Sequence, residues 1–195
     1  MNAGRPREFD TEQALDAAMH LFWRQGYEAT SMQNLLDTMR LSKSSLYQTF
    51  GSKHELFQQC IQYYRDIMTS EFQQVLAQAP SGREFIEQFY LSIVDNAKQP
   101  ENRIGCLVMN TATELAQRDK EIAKLIKLGS ESFTRVFVQA IERAQQEGDI
   151  SAEKNAQTLG HFLMSNLSGL NAMAKAGASQ AVLKDIVKEI MQSLV

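Results

Sequence analysis

The stretch of sequence that decides the fold is residues 30–56, TSMQNLLDTMRLSKSSLYQTFGSKHEL. It indicates two short helices separated by a tight turn and followed by the start of a third helix. Thr30 is predicted to be the N-cap of the first helix, and Gln33, three residues later, completes a capping box. The same helix has one apolar face, formed by Met32, Leu35, Leu36 and Met39. The pattern predicts a helix-turn-helix.

The second helix of this stretch has the composition of a DNA-reading helix. Ser42 is predicted to cap it, and Leu46 and Phe50 point inward at i and i+4. Its outer positions are hydrogen-bonding side chains with one cation: Lys43, Ser44, Ser45, Tyr47, Gln48 and Thr49. Such a helix fits a major groove, where these groups, with Thr30 and Lys53, are predicted to contact bases and phosphates. The alternative is an ordinary solvated helix face.

The charge distribution favours DNA binding although the whole chain carries a net charge of −3. Between Thr38 and His54 the charged residues are Arg40, Lys43 and Lys53, with no Asp or Glu. An N-terminal arm adds Arg5 and Arg7 in the sequence Gly-Arg-Pro-Arg, which resembles an AT-hook that follows the narrow minor groove of A·T-rich DNA. The alternative for the arm is a leader without function.

The N-terminal part of the chain, residues 8–58, resembles the TetR family of bacterial transcriptional regulators. The likeness is carried by Phe22, Gly26, Thr30, Leu35, Leu36, Leu41, Ser42, Lys43, Leu46, Tyr47, Phe50, Lys53 and Leu56. It implies an all-α, TetR-like fold, in which a three-helix helix-turn-helix head precedes a helical body that binds a ligand and dimerises. The chain departs from the family pattern at Ser44, and at Arg40, where the family has the turn glycine. A positive φ at Arg40 costs about 1 kcal/mol of strain.

Composition supports the same architecture. Three prolines and long segments rich in Ala, Gln, Leu, Glu and Lys predict helices throughout. We assign residues 1–54 to a DNA-binding domain with its N-terminal arm, and residues 55–195 to an effector-binding and dimerisation domain. A long helix that starts near Ser52 is predicted to link them. A shift of that helix would change the distance between two reading helices, which must lie about 34 Å apart in a dimer to enter successive major grooves.

The last two predicted helices are expected to form a twofold-symmetric homodimer, because each has a long apolar stripe and the first also has small residues that permit close approach. The predicted interface residues are Phe162, Leu163, Leu167, Leu170, Leu183, Ile186 and Ile190. The alternative is that both helices only complete the core of a monomer.

Two kinds of signal are predicted for the body. Phe89, Met109, Phe137 and Phe162 are candidates to line a pocket for a small apolar effector, although helical spacing fits a packed core equally well. Cys106 precedes a predicted helix, where backbone N–H groups favour a thiolate. Together with Lys175, its surroundings resemble the electrophile-sensing NemR type of the family. The alternatives are a small buried residue at Cys106 and a solvated lysine at Lys175. Cys60, within a helical stripe, is predicted to be structural.

Other classes of function receive little support. The sequence shows no signal peptide and no membrane-spanning segment, so we expect a cytoplasmic protein. The spacing of its two cysteines and three histidines suggests no disulfide, metal or cofactor. An enzyme would have Cys106 and His161 as its only candidate nucleophile and base, without an orienting carboxylate. A helical adaptor without DNA binding would not need Tyr47 and Lys53. The sequence therefore predicts a dimeric repressor that an effector releases from operator DNA, with a Cys106-based sensor as the alternative.

Overall fold

The computed structural model describes residues 9–194, and these contain nine α-helices, one 3₁₀ turn and no strand. The predicted all-α fold is confirmed. The predicted arm with Arg5 and Arg7 lies outside the described residues. The helices are α1 (Thr11–Gln25), α2 (Met32–Met39), α3 (Lys43–Phe50), α4 (Lys53–Gln78), α5 (Gly82–Asn96), α6 (Leu107–Leu115), α7 (Lys120–Glu147), α8 (Ala156–Lys175) and α9 (Gln180–Ser193), with the 3₁₀ turn at Pro100–Asn102.

The chain divides into two compact units, Met1–Tyr64 and Arg65–Val195. The division falls inside α4, ten residues after the boundary that the sequence analysis placed at residue 54. The early part of α4 therefore belongs to the first unit, where Leu56, Phe57 and Cys60 are buried.

The first unit is a small helical head around an aromatic core. Asp10 caps α1 by accepting hydrogen bonds from the backbone N–H groups of Glu12 and Gln13 at 2.9 and 3.2 Å. On the buried side of α1, the ring of Phe22 lies 4.7 Å from that of Phe57 on α4. These contacts hold α1 and α4 together and support α2 and α3.

The predicted cap of α2 was wrong by one residue. Ser31, not Thr30, is the N-cap: its Oγ accepts from the backbone N–H of Asn34 at 3.1 Å, and Asn34 Oδ1 accepts from the backbone N–H of Ser31 at 3.0 Å. Gln33 does not complete the box, because its side-chain amide donates to Asp37 at 2.8 Å. Thr30 is fully buried and donates its hydroxyl to the carbonyl of Gly26 at 2.6 Å.

The second unit is built around α7, which packs against α5, α6 and α8. Its interior contains a cluster of aromatic rings: Phe72, Phe85, Phe89, Tyr90, Phe133 and Phe137. The buried Tyr90 donates its hydroxyl to the carbonyl of Leu163 on α8 at 2.5 Å. This hydrogen bond removes the cost of leaving a polar group unpaired in an apolar core.

Arg143 on α7 holds the turn between α4 and α5. Its guanidinium donates to the carbonyls of Leu76, Ala79 and Pro80 at 2.9 to 3.0 Å, which satisfies groups that a helix end leaves unpaired. It also donates to Glu147 at 2.7 Å. The other carboxylate oxygen of Glu147 accepts from the backbone N–H of Gly82, the first residue of α5, at 2.8 Å. The hydrogen bond from this N–H group is the largest single cause that lowers the pKa of Glu147, and Arg143 lowers it further.

Candidate nucleic-acid interface

The turn between α2 and α3 is made by Arg40 in the left-handed conformation, with φ 54° and ψ 43°. Its backbone N–H and that of Leu41 both donate to the carbonyl of Leu36, which closes the end of α2. Arg40 is the only non-glycine residue with a positive φ in the described part of the chain. The positive φ confirms the expectation of strain at this position, at a cost of about 1 kcal/mol.

One face of α3 anchors the helix and the other is open. Leu46 and Phe50 are buried as predicted. Ser42 caps the helix, its Oγ accepting from the backbone N–H of Ser45 at 3.2 Å. Lys43, Ser44, Tyr47 and Gln48 are exposed, and Ser45 and Thr49 are half-buried. The result is a short convex surface with hydroxyl, amide and ammonium groups, which can meet base edges and phosphates without moving the buried face.

The exposed side chains of α3 differ in how freely they can turn towards a ligand. The hydroxyls of Ser44 and Ser45 lie 3.0 and 2.9 Å from that of Ser42, so both are already in a local hydrogen-bond cluster. Tyr47 leaves 46% of its surface exposed. It is the one large aromatic side chain that α3 presents to solvent.

The start of α4 adds a second group to this surface. Ser52 and Glu55 form a reciprocal capping box: Ser52 N–H donates to Glu55 Oε2 at 2.7 Å, and Glu55 N–H donates to Ser52 Oγ at 3.2 Å. The hydrogen bond from the Ser52 backbone is the main reason that the pKa of Glu55 is lowered. Lys53 is the first residue of the helix, and its ammonium lies 4.2 Å from the centre of the Tyr27 ring.

Thr30 does not belong to this surface. It was predicted to contact DNA, but it is fully buried and its hydroxyl is engaged by Gly26. The neighbouring Ser31 is exposed and caps α2. The structure thus corrects the set of candidate contacts by one residue, for the same reason that it corrects the cap.

The predicted dimer interface needs a larger correction. Five of its seven residues are buried in the subunit's own core: Leu163, Leu167, Leu170, Leu183 and Ile190. Phe162 is 38% exposed and Ile186 is half-buried. Together with Val182, which is 43% exposed, they border a groove of about 380 Å³ between α8 and α9, the α8–α9 groove. Its other lining residues are Asn166, Asp185, Glu189 and Ile190. The predicted leucine stripe is therefore covered within the subunit, whereas this groove leaves apolar side chains exposed.

The four pocket candidates do not lie together. Phe89 packs against Phe72 and Phe137, with ring centres 4.8 and 5.3 Å apart, so Phe89 and Phe137 are core residues. Phe162 borders the α8–α9 groove. Of the four candidates, only Met109 lines a cleft of about 620 Å³ between α6, α7 and α8, which we call the α6–α8 cleft.

Sequence reasoning missed most of the lining of the α6–α8 cleft. It includes Ala123, Ile126, Lys127, Ser130, Glu131, Thr134, Arg135, Gln157 and His161. Lys127, Glu131 and Arg135 recur every four residues on α7, a spacing that would have placed them on one helix face. Nothing in that spacing distinguishes the wall of a cleft from an ordinary solvated surface.

The two cysteines occupy different environments. Cys60 is fully buried, and burial raises the pKa of its thiol, in agreement with a structural role. Cys106 is 8% exposed and is the N-cap residue of α6, although its side chain makes no capping hydrogen bond. Lys175 is the exposed last residue of α8. A Cβ built on Gly177 would lie 3.8 Å from the Arg103 guanidinium, so the long Arg103 side chain reaches the turn that follows α8.

Within residues 9–194, no three His, Cys, Asp or Glu side chains are placed to hold a metal ion. Over the same residues, no helix combines the length and the apolar character that crossing a membrane requires.

A helix-turn-helix whose second helix exposes a polar face is typical of DNA-binding proteins, and comparison with known proteins gives the family. Residues 14–60 match the family model for bacterial regulatory proteins of the tetR family, and residues 82–190 match the tetracyclin repressor-like C-terminal domain. The chain belongs to the TetR family, whose members are transcriptional regulators and not enzymes.

Individual relatives agree with this placement. The uncharacterised HTH-type transcriptional regulator YezE of Bacillus subtilis is 30% identical over 94% of this chain and 95% of its own length. The HTH-type transcriptional repressor ComR of Escherichia coli is 29% identical over 94% of this chain and 88% of its own. A cysteine mutant of the TetR family regulator CifR, solved with 26-base-pair operator DNA, superposes with a TM-score of 0.84 at 29% identity, over 98% of this chain and 100% of that one.

The predicted likeness to the NemR type extends to the fold. Reduced NemR of Escherichia coli superposes with a TM-score of 0.83 over 92% of this chain and 93% of its own. The sequences are 18% identical, so this comparison concerns the architecture alone.

Proposed function

We propose that the protein is a homodimeric repressor that reads operator DNA with α3 and is released by a small-molecule effector. The exposed polar face of α3, fixed from behind by Leu46 and Phe50, is the observation that carries the proposal. A helix held in this way presents its side chains to a major groove without an entropic cost for ordering the backbone. The repressor ComR and the operator complex of CifR support it. Action on DNA implies that the protein works in the cytoplasm.

The proposed contacts fall into two groups. Lys43, Ser44, Ser45, Gln48 and Thr49 lie along α3 and face base edges and nearby phosphates. Tyr47 and Lys53 hold the phosphate backbone that fixes the register of α3 on the duplex. Arg5 and Arg7 remain proposed minor-groove contacts. Thr30 is buried and is not proposed as a DNA contact.

Replacing Lys53 with Met tests the phosphate contact. We expect Lys53→Met to weaken binding to operator and unrelated duplexes by the same factor. The slope of log affinity against log salt should fall by about one for each subunit, because one counterion fewer is released. Fluorescence anisotropy across a salt series measures both quantities. The operator is first located by gel shift with the intergenic DNA upstream of the gene.

Lys124→Met is the matched control. Lys124 is an exposed lysine of α7 that pairs with Glu121 at 2.8 Å, so its replacement removes the same charge from the second unit. It should leave the salt slope unchanged. Loss of sequence preference in Lys53→Met, with an unchanged slope, would assign Lys53 to a base instead.

The second copy of the chain is proposed to cover the α8–α9 groove. The groove combines apolar Phe162, Val182 and Ile186 on two adjacent helices, and the neighbouring Gly169 has open space where a side chain would lie. Pairing of α8 and α9 with their symmetry mates would bury this surface and bring two reading helices to one operator.

The effector is proposed to occupy the α6–α8 cleft. Its volume of about 620 Å³ is in the usual range for small-molecule sites. Met109 and Ile126 supply an apolar wall, while Lys127, Glu131 and Arg135 supply charges. This composition suits a small molecule with an apolar body and at least one polar group. It is more polar than the apolar pocket that the sequence suggested.

A thiol-based sensor is the second candidate, because Cys106 stands at the start of a helix whereas Cys60 lies inside one. With only 8% of its surface exposed, Cys106 is expected to react with N-ethylmaleimide more slowly than free cysteine, and operator binding should survive the treatment. Mass spectrometry of the modified peptide across pH, with gel shifts of the same samples, measures both.

Cys106→Ser and Cys60→Ser are the paired controls. If alkylation of wild type is fast and releases DNA, and Cys106→Ser alone resists it, the sensor is the better account and the α6–α8 cleft is not the route of release. A slower alkylation of Cys106 in Lys175→Met would then indicate that Lys175 stabilises the Cys106 thiolate.

A further inference from the structure

The Lys53 side chain is held by an aromatic ring from another part of the head. Its ammonium lies 4.2 Å from the centre of the Tyr27 ring, well inside the distance at which a cation is attracted to the face of an aromatic group. Tyr27 lies in the connection between α1 and α2, directly after the glycine that ends α1. The contact therefore joins that connection to the first residue of α4.

The Tyr27 ring is itself fixed in place. Its centre lies 4.8 Å from the ring of Phe57 and 6.1 Å from that of Phe22, and both of those rings are buried. The His54 ring is nearly perpendicular to the Tyr27 ring, and the two ring centres lie 6.4 Å apart. A half-buried ring that packs on the core has little freedom of its own, so it gives the lysine a defined resting position.

The position of Lys53 at the start of α4 explains why a ring that fixes its side chain would affect DNA binding. The first turn of a helix carries a partial positive charge, which favours anions and repels a lysine. Backbone N–H groups at a helix N-terminus can also bind phosphate oxygens. An ammonium that is held beside these groups would attract the same phosphate. An unrestrained lysine would instead extend away into solvent.

We propose that Tyr27 is a positioning residue for DNA binding, which holds the Lys53 ammonium at the start of α4 where a backbone phosphate meets it. The inference rests on the proposed phosphate contact of Lys53. Tyr27 acts through the electron-rich face of its ring and not through its hydroxyl. A cation–π contact at an exposed site corresponds to about a twofold to fivefold factor for each subunit. Both heads of a dimer together would give about fourfold to twenty-fivefold in operator affinity.

The experiment weakens the ring face without changing its size. Tyr27→Phe is compared with variants that carry fluorinated phenylalanines at position 27, each in wild type and in Lys53→Met. We expect Tyr27→Phe to bind DNA like wild type. Increasing fluorination should weaken binding stepwise, by the same factor on operator and unrelated duplexes. In Lys53→Met, fluorination should have no further effect. Thermal unfolding of each variant shows whether the fold is retained.

Three outcomes would overturn the inference. Equal losses with and without Lys53 would make Tyr27 a structural support only. Tighter binding on fluorination would mean that the ring holds Lys53 away from DNA. Unchanged affinity across the series would mean that the contact has no bearing on DNA binding. An unchanged affinity and salt slope in Lys53→Met itself would instead contradict the phosphate contact on which the inference rests, and the two failures are thus distinguished.

Discussion

Phe162→Glu combined with Val182→Glu is expected to convert the protein into a folded monomer that binds its operator at least about a hundredfold more weakly. Both side chains are substantially exposed in the subunit, so each subunit can accept a carboxylate. In a dimer the new charges would be buried close to Asp185 and Glu189, which already line the α8–α9 groove. A monomer engages one half-site and loses the gain from holding two.

Two controls make this experiment specific. Leu128→Glu changes another exposed apolar side chain, on α7 and outside the groove lining, and should remain dimeric. Leu167→Glu and Leu183→Glu place a charge in the subunit's own core, so they should unfold the protein instead of dissociating it. Light scattering gives the mass, and circular dichroism gives the fold. A double variant of unchanged mass would show that the interface lies elsewhere.

The reading helix could be predicted because its signals are local. The cap of Ser42 and the buried positions of Leu46 and Phe50 follow from spacing within nine residues. The cap of α2 depended on the conformation of the connection that precedes it. Thr30 and Ser31 are both good caps, and the choice between them is set by a hydrogen bond from Thr30 to the carbonyl of Gly26, at the end of the preceding helix. Sequence alone does not contain that contact.

The dimer stripe illustrates a different limit. Periodicity identifies an apolar helix face, but it does not say what covers that face. On α8 the most regular stripe, Leu163, Leu167 and Leu170, is covered by the same subunit. The exposed face carries Phe162, Met173 and small residues such as Ser165 and Gly169, which do not form a regular apolar stripe. On α9, likewise, Leu183 is inside and Val182 is outside.

The proposed effector site could not be predicted from the sequence, for a related reason. Phe89 and Phe137 have the spacing of either a pocket or a core, and their mutual packing decides for the core. The α6–α8 cleft is bordered by charged residues of α7 that look like any solvated helix surface. Its existence depends on how α6 and α8 are set against α7, which is a property of tertiary packing.

Gly82→Ala is expected to lower the free energy of unfolding by about 3 kcal/mol or more, at the upper end of what overpacking costs. A Cβ at Gly82 would clash with the carbonyl oxygen of Ala140 and lie 2.7 Å from the backbone N of Ala144. Both are backbone atoms of α7, which cannot turn aside as a side chain can. The start of α5 must therefore move away. That movement breaks the hydrogen bond from Gly82 to Glu147 and disturbs the turn that Arg143 holds.

Gly129→Ala is the matched control, because its Cβ would meet only the side chain of Val108, at 3.0 Å. Val108 can yield slightly, and alanine gains about 1 kcal/mol of helix propensity over glycine. The net change should be small. Urea unfolding at one fixed protein concentration compares the variants, since the proposed dimerisation would make stability depend on concentration. A Gly82→Ala protein as stable as Gly129→Ala would contradict the close approach of α5 to α7.

The pH dependence of the Gly82→Ala effect gives a further check on its cause. The pKa of Glu147 is lowered in the folded protein, first by the Gly82 N–H group. Its contribution to stability is therefore present above the unfolded pKa and is lost as pH falls through the lower, folded pKa. Gly82→Ala removes the part of that contribution that comes from the Gly82 N–H group at neutral pH, but it has less to remove in acid. The difference in stability between wild type and Gly82→Ala should thus narrow as pH falls through the folded pKa of Glu147, and Glu147→Gln should abolish the narrowing.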